Sequence, residues 1–373
     1  MSTNQAIFGV LAAVGAPFFM ATGFIIWDKT WKIGEGSAFA LNLFKCNLAA
    51  LWFLVVSFAF GWKTYASNIG DDEPIFSINS VGFLVLSGFI GIIVGDLAWL
   101  EALRLLGATQ VFLIDSLKPF SAALMGWLFL GETVNPIAYS GIVLTIVGII
   151  IVSFEKEKQS VPKELPQDEC DNESEHANEV DNKHHTNEID LIVEDVSDDV
   201  MSNEEGIHHN QLCFRSSRGY MFAVGNVFLD TYGSLLTKQN GVGMSTFAIN
   251  LIRFGSAGVF MASVTILMII CQNKNAAESS NQNQAWFLLP RLSVRDWMKI
   301  CVGVAFVTFL CPSLSNYALF QINLALALTL GSITPFYALF LEWSFCGKKP
   351  SLNAFFGVCL TVGGVAILSI WHS

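Results

Sequence analysis

Phe39-Ala-Leu-Asn-Leu-Phe-Lys45 returns 208 residues later as Phe247-Ala-Ile-Asn-Leu-Ile-Arg253. Farther along the offset becomes 216, and Pro119, Phe120, Ala122, Trp127, Phe129 and Gly131 return as Pro335, Phe336, Ala338, Trp343, Phe345 and Gly347. Gly141, Leu144, Thr145 and Gly148 then return as Gly357, Leu360, Thr361 and Gly364. Between 101–154 and 317–370, 16 of 54 positions are identical without a gap. Unrelated apolar segments would agree at roughly a tenth of positions on composition alone. The chain is internally duplicated.

The duplicated stretches are apolar, and their lengths decide what they are. A bilayer core of about 30 Å is crossed by roughly 20 helical residues. Runs of that length lie near 6–27, 37–60, 81–103, 108–130 and 135–154, then 219–238, 245–271, 297–319, 323–345 and 351–371. The first run, which continues to Trp27, reads as a span and not as a cleaved leader. Five spans per half is an odd number, so the second half enters the membrane from the opposite side. The predicted fold is therefore all-α and integral to the membrane, with ten transmembrane helices as two inverted five-helix repeats. The predicted domains are 1–154, an acidic disordered linker 155–218, and 219–373 with a polar loop at 272–296.

Composition agrees. Apolar residues make up 53% of the chain and charged residues 14%, where a soluble domain carries about a quarter charged. The formal charge of −11 is local: Glu155 to Asn210 hold 18 acids and 4 lysines, leaving +3 for the remainder. That segment has too few apolar residues to offset the entropy of ordering. Its histidines, His176, His184, His185, His208 and His209, lack the ordered spacing of a metal site. The eight cysteines form no CxxC. No phosphate-binding loop, nucleophile elbow or HExxH is present, and basic residues do not cluster as nucleic-acid binding requires. No enzyme, cofactor, metal or nucleic acid is expected; the expected partners are a small-molecule substrate and the lipid bilayer.

The run Glu101-Ala-Leu, Leu117-Lys-Pro119, Gly126-Trp-Leu-Phe-Leu-Gly-Glu132 and Gly141 through Gly148 resembles the EamA-like proteins of the drug/metabolite transporter superfamily. The second half repeats it more loosely with Tyr317-Ala-Leu, Pro335 and Gly347. The resemblance covers essentially the whole membrane part. It implies ten helices around a central cavity and a substrate among amino acids, nucleotide sugars, sugar phosphates or other small polar solutes. The chain departs from the pattern at Lys348, which stands in place of the acid at Glu132, and at Asp115, in a usually apolar stretch.

Charges within spans are costly, roughly 2.5–3.5 kcal/mol on insertion scales, so they face a cavity or a partner. Lys45 and Arg253 are related by the repeat, and two such cations suit a carboxylate or phosphate. Asp115 and Lys118 share a helix face, and Pro119 removes a backbone donor beside them. Pro335, with Ser332 and Thr334, marks the matching helix break. The expected substrate-binding residues are thus Lys45, Arg253, Asp115, Lys118 and Thr334. Asp96 and Glu101 are the candidates for proton or cation coupling. Glu132 needs no more than a solvated or capping role, and Glu342 stands near the end of its span. The predicted function is secondary transport or exchange of a small polar solute, anionic if the paired cations hold it, by alternating access. The alternative is a transporter-derived sensor or scaffold acting through the acidic loop.

Overall fold

A computed structural model describes residues 3–33, 37–62, 77–106, 111, 114–115, 117–132, 135–160, 217–275, 286–347 and 351–371. Residues 161–216, which include most of the acidic linker and all its histidines, lie outside the described residues, as does Lys348. Helices account for nearly all of the described chain, and no strand forms among the described residues. In lipid every backbone N–H and C=O must be paired within its own segment, which a helix achieves. We label them α1 (Thr3–Ile33), α2 (Ala38–Phe60), α3 (Ile78–Leu106), α4 (Lys118–Met125, continued by a π-helical turn Gly126–Leu130) and α5 (Pro136–Ser160). Then come α6 (217–240), α7 (Thr246–Asn275), α8 (Val294–Gln321), α9 (Leu324–Gly331), α10 (Thr334–Cys346) and α11 (Leu352–Trp371).

Among the described residues, six helices are long and apolar enough to cross a membrane: Asn4–Ile26, Ala38–Phe60, Ile78–Leu106, Thr246–Gln272, Val294–Gln321 and Leu324–Phe345. Shorter apolar helices occupy Pro136–Ile151 and Leu352–Ile367. Large apolar side chains such as Phe58, Phe60, Trp127, Phe129 and Phe355 point outward and stay exposed, as a lipid-facing surface requires.

The repeat is visible in the backbone. α3 carries a π-helical segment at Gly88–Gly95, and α8 carries one at the matching place, Ala305–Leu310. The helix that ends at Gly131 and the one that ends at Gly347 both stop on a left-handed glycine, with φ of 64° and 67°. Both also start on a proline near their N-termini, Pro119 and Pro335. The chain turns at Leu117 before α4 and at Ser332–Ile333 before α10, so each proline follows a break in the helix.

Two pairs of repeat-related helices pack on one another. A Cβ built on Gly148 would lie 2.5 Å from the Gly357 carbonyl oxygen and 2.6 Å from Thr361 N. A Cβ on Gly364 would lie 2.7 Å from the Gly141 carbonyl oxygen and 2.6 Å from Thr145 N. Each contact is the other with the repeats exchanged, and the numbering runs in opposite directions, so α5 and α11 cross antiparallel about a local two-fold. Thr145 and Thr361 satisfy their hydroxyls on the carbonyls of Gly141 and Gly357, at 2.8 and 2.9 Å. α2 and α7 repeat the arrangement, with Gly258 against Asn47 and Gly255 against Ala50. Lipid tails are as apolar as leucine, so close backbone approach and dispersion hold these helices together.

Candidate functional site

Between the two halves lies a cavity of about 230 Å³ lined from α1, α2, α3, α4, α6, α7, α8 and the α9–α10 break. Its apolar wall includes Met20, Phe254, Val307 and Leu328. Its polar wall brings together residues far apart in sequence. Lys45, Asp96, Asp115, Lys118, Arg253 and Thr334, all singled out from the sequence, line this one space.

The charges are not equally partnered. Lys45 Nζ on α2 lies 2.6 Å from Asp96 Oδ2 on α3. Lys118 lies 3.3 Å from Asp115 Oδ1 and 3.1 Å from Asp230 Oδ2 on α6, so one ammonium serves two carboxylates. Asp115 is further held by the Trp99 indole N–H, which donates to its Oδ2 at 3.1 Å. Arg253 is 7% exposed, and among the described residues its Nε has no hydrogen-bond partner and no carboxylate stands within 4.0 Å of it. Asp230 and Asp96 act on its charge from farther away.

Local structure explains how Arg253 comes to face the cavity. Its backbone passes against Gly88, where a Cβ would lie 2.7 Å from the Arg253 carbonyl oxygen. A Cβ on Gly91 would lie 3.3 Å from Arg253 Nη2, so glycine leaves room for the guanidinium. The π-helical segment frees carbonyls that a regular helix would pair. Buried asparagines take them up: Asn42 Nδ2 donates to Ile92 O at 2.9 Å and Asn226 Nδ2 to Gly95 O at 3.0 Å. Asn226 Oδ1 and Thr308 Oγ1 on the lining have no hydrogen-bond partner among the described residues. Buried polar atoms are nearly always paired, whether with protein, ordered water or a bound group.

The remaining sequence candidates fall elsewhere. Glu101 is not on the lining and pairs with Arg104. Pro119 is buried and is not on the cavity lining, whereas Pro335 lines it. Glu132 does more than cap its turn. Its carboxylate holds Lys238 Nζ at 2.6 Å and accepts the Leu324 N–H at 2.8 Å, and Lys238 also donates to Ile322 O at 2.7 Å. Asp230 is absent from the residues that sequence reasoning singles out, although it sits mid-span in 219–238 and carries the signal that marks Asp96. Trp99, Asn226 and Thr308 carry no such signal, because neutral polar residues in a span are common.

The chain is similar to known proteins. The permease-like protein YdzE of Bacillus subtilis (strain 168) is 32% identical over 72 residues, 19% of this chain and 92% of its own length. One solved crystal structure superposes on 100% of this chain and 98% of its own, with a TM-score of 0.61 and 12% identity, which shows a shared fold. Residues 7–154 and 217–370 each match the EamA-like transporter family, so the chain belongs to that family and is an integral multi-pass membrane protein.

Proposed function

We propose that this chain is a secondary transporter of a small polar solute bearing an anionic group, moved by alternating access through the central cavity. The architecture proposed is ten membrane-crossing helices in two inverted five-helix repeats, 1–154 and 219–373, joined by the acidic segment 155–218. The antiparallel, reciprocal packing of α5 with α11 and of α2 with α7 supports that layout. Two such halves rock about a site at their interface.

The observation that carries the functional reading is Arg253, a buried cation that faces the cavity without a carboxylate beside it. A buried charge left uncompensated is costly, and an anionic solute supplies the missing partner. In this reading Thr334, at the helix break, and Lys118 line the path of the solute. Asp96 is the coupling carboxylate, because its contact with Lys45 makes arrival of a proton and release of Lys45 one event. Glu101, paired with Arg104 away from the lining, has no part in coupling here.

The test is uptake by purified protein in liposomes across a panel of small polar metabolites, with Arg253→Gln as the paired variant. Wild type moves at least one anionic or dipolar solute, and the variant, folded by size-exclusion and melting, loses most of that uptake. A variant that transports every solute as well as wild type does removes Arg253 from the mechanism. Wild-type protein that moves no solute, while reconstituted in folded form, removes the transporter reading.

A further inference from the structure

We propose that the Glu132–Lys238 ion pair is a latch between the two halves, which shuts one end of the cavity in this structure and must part once in each transport cycle. This rests on the transporter reading and gives it a moving contact.

The pair stands where a latch would have to stand. The α6 residues on the cavity lining are Asn226, Asp230 and Ser234, a stripe at every fourth place, and Lys238 is the next member of that stripe. On α9 Leu328 is on the lining, and Leu324 stands one turn before it. On both helices the cluster thus lies one turn beyond the lining. Glu132 reaches it from the first half, holding Lys238 Nζ at 2.6 Å and accepting the Leu324 N–H at 2.8 Å. Beside it Gln239 Nε2 donates to Phe129 O at 3.3 Å, so the end of α6 is tied twice to the end of α4. Within the cavity the same two helices are joined again, by Lys118 and Asp230 at 3.1 Å.

The contact can part without stranding its members. Glu132 follows the left-handed Gly131 and stands outside α4, so its carboxylate can withdraw without unwinding a helix. Lys238 keeps Ile322 O, which lies 2.7 Å away in its own half. The Leu324 N–H belongs to the first turn of α9, where a helix leaves its N–H groups to side chains or water. An opening end admits the water that both it and Glu132 then need.

The duplication carries the same pair with its signs exchanged. α1 and α6 correspond at an offset of 210: Ala13-Val-Gly15 returns as Ala223-Val-Gly225, and Phe18 and Gly23 return as Phe228 and Gly233. Packing fixes that register. A Cβ on Gly23 would lie 2.7 Å from Gly303 O, and one on Gly233 would lie 3.3 Å from Ser87 O, partners that are themselves 216 apart. Gly9 against Gln321 and Gly219 against Leu105 match in the same way. Asp28 is then the counterpart of Lys238, as Lys348 is of Glu132. The side chains of Asp28 and Lys348 lie outside the described residues; their signs and their places in the repeat are read from the sequence. Acid and base have traded places together, which preserves the attraction and accounts for the basic residue at Lys348. A strut peculiar to one end of the molecule has no reason to recur. A pair that closes an end does, because inverted halves must close the two ends in turn.

Two experiments on the full-length protein in liposomes test the latch. In the first, Glu132→Cys and Lys238→Cys are combined and bridged by a short bifunctional methanethiosulfonate, which dithiothreitol releases; peptide mass spectrometry confirms the bridge. Uptake from a radiolabelled panel of amino acids, nucleotide sugars and sugar phosphates should fall on the order of tenfold or more when the bridge forms, and return on reduction. Either single variant under the same reagent should lose no more than wild type does. In the second, a bulky membrane-impermeant maleimide is applied from the face at which α4 ends, and its reaction with Cys311 on the cavity lining is read by mass spectrometry. Glu132→Gln still accepts the Leu324 N–H but holds no ion pair, and Cys311 in it should react on the order of tenfold faster than in wild type. Glu132→Lys combined with Lys238→Glu restores the attraction and should return the rate toward that of wild type. Unaltered uptake by the bridged protein, or Cys311 that reacts as fast in wild type as in Glu132→Gln, overturns the latch and leaves transport standing. Wild-type protein that moves nothing from the panel removes the transporter reading instead, and the Cys311 rates still show whether the pair shuts the cavity.

Discussion

Replacing Gly148 by alanine places a methyl group where α5 meets α11, and its cost can be worked from the contacts. The new Cβ would sit 2.5 Å from the Gly357 carbonyl oxygen and 2.6 Å from Thr361 N, both backbone atoms that no rotamer change can move. The helices must separate, which forfeits dispersion along the small-residue seam. Overpacking of a well-packed interface costs about 1–3 kcal/mol, and a clash with backbone belongs at the upper end. Alanine is meanwhile the better helix former by about 0.8–1.0 kcal/mol. That gain is realised alone in Gly225→Ala and Gly82→Ala, because both glycines lie in helices and nothing stands within 4 Å of their Cβ positions. All three variants share that gain, so the gap between Gly148→Ala and these controls is the overpacking cost itself, about 1–3 kcal/mol. The reciprocal contact makes a second demand: Gly364→Ala must cost about the same as Gly148→Ala. The double variant must cost less than their sum, since helices already parted admit the second methyl cheaply. Unfolding in mild detergent, read by size-exclusion of heated samples and by denaturant titration, ranks the five proteins. Gly148→Ala equal to Gly225→Ala, or two strictly additive single variants, would refute the packing argument.

Other predictions concern the polar contacts. Lys238→Met removes the ammonium from both Glu132 and Ile322 O and leaves a largely buried carboxylate without its cation. It should destabilise by about 3–5 kcal/mol, and Glu132→Ala should cost more than Glu132→Gln, whose amide oxygen can still accept the Leu324 N–H; equal melting of the two Glu132 variants would count against the cap. Asn42→Leu conserves volume but leaves the Ile92 carbonyl in the π-helical segment without its donor. A loss of about 1–3 kcal/mol is expected, measured by the same unfolding assay.

Membership in a duplicated membrane fold is legible in the sequence because glycine and proline act locally. Gly131 and Gly347 end their helices in a left-handed conformation, and Pro119 and Pro335 restart them, without reference to any distant residue. The mid-span charges Lys45, Asp96, Asp115, Lys118 and Arg253 are legible too, since the cost of charge in lipid forces them inward. Which charge meets which is not legible. Hydropathy finds a span but not the rotation of its helix, and rotation decides that Lys118 reaches Asp230 on α6 while Lys45 reaches Asp96 on α3. The π-helical segments compound this, because each extra residue per turn re-aims the side chains beyond it, and Asp96 comes directly after one. Glu132 is misjudged for a related reason. Its partners Lys238 and Leu324 belong to the other half, and no pattern in 101–154 announces them.

The repeat itself explains why no described carboxylate stands within 4.0 Å of Arg253, and that explanation can be tested. Lys45 and Arg253 are equivalent by the duplication, yet Lys45 has Asp96 beside it. At the offset of 216 that relates α3 to α8, the counterpart of Asp96 is Pro312, which also lines the cavity. The matching of the two π-helical segments, Gly88–Gly95 and Ala305–Leu310, fixes that alignment without a shift. The fold thus supplies two equivalent positions for a carboxylate and fills only one, which on the proposed function leaves the second cation for the solute. Pro312→Asp restores the missing carboxylate and should neutralise Arg253 from within. Uptake should then fall as far as in Arg253→Gln, while the ion pair keeps the protein folded. Pro312→Asn has nearly the same shape and backbone consequences without the charge, and it should retain uptake. Direct comparison of the two variants in liposomes isolates the charge from the loss of proline. Equal uptake by Pro312→Asp and Pro312→Asn would mean that Arg253 does not owe its availability to this position, and the symmetry argument would fall with it.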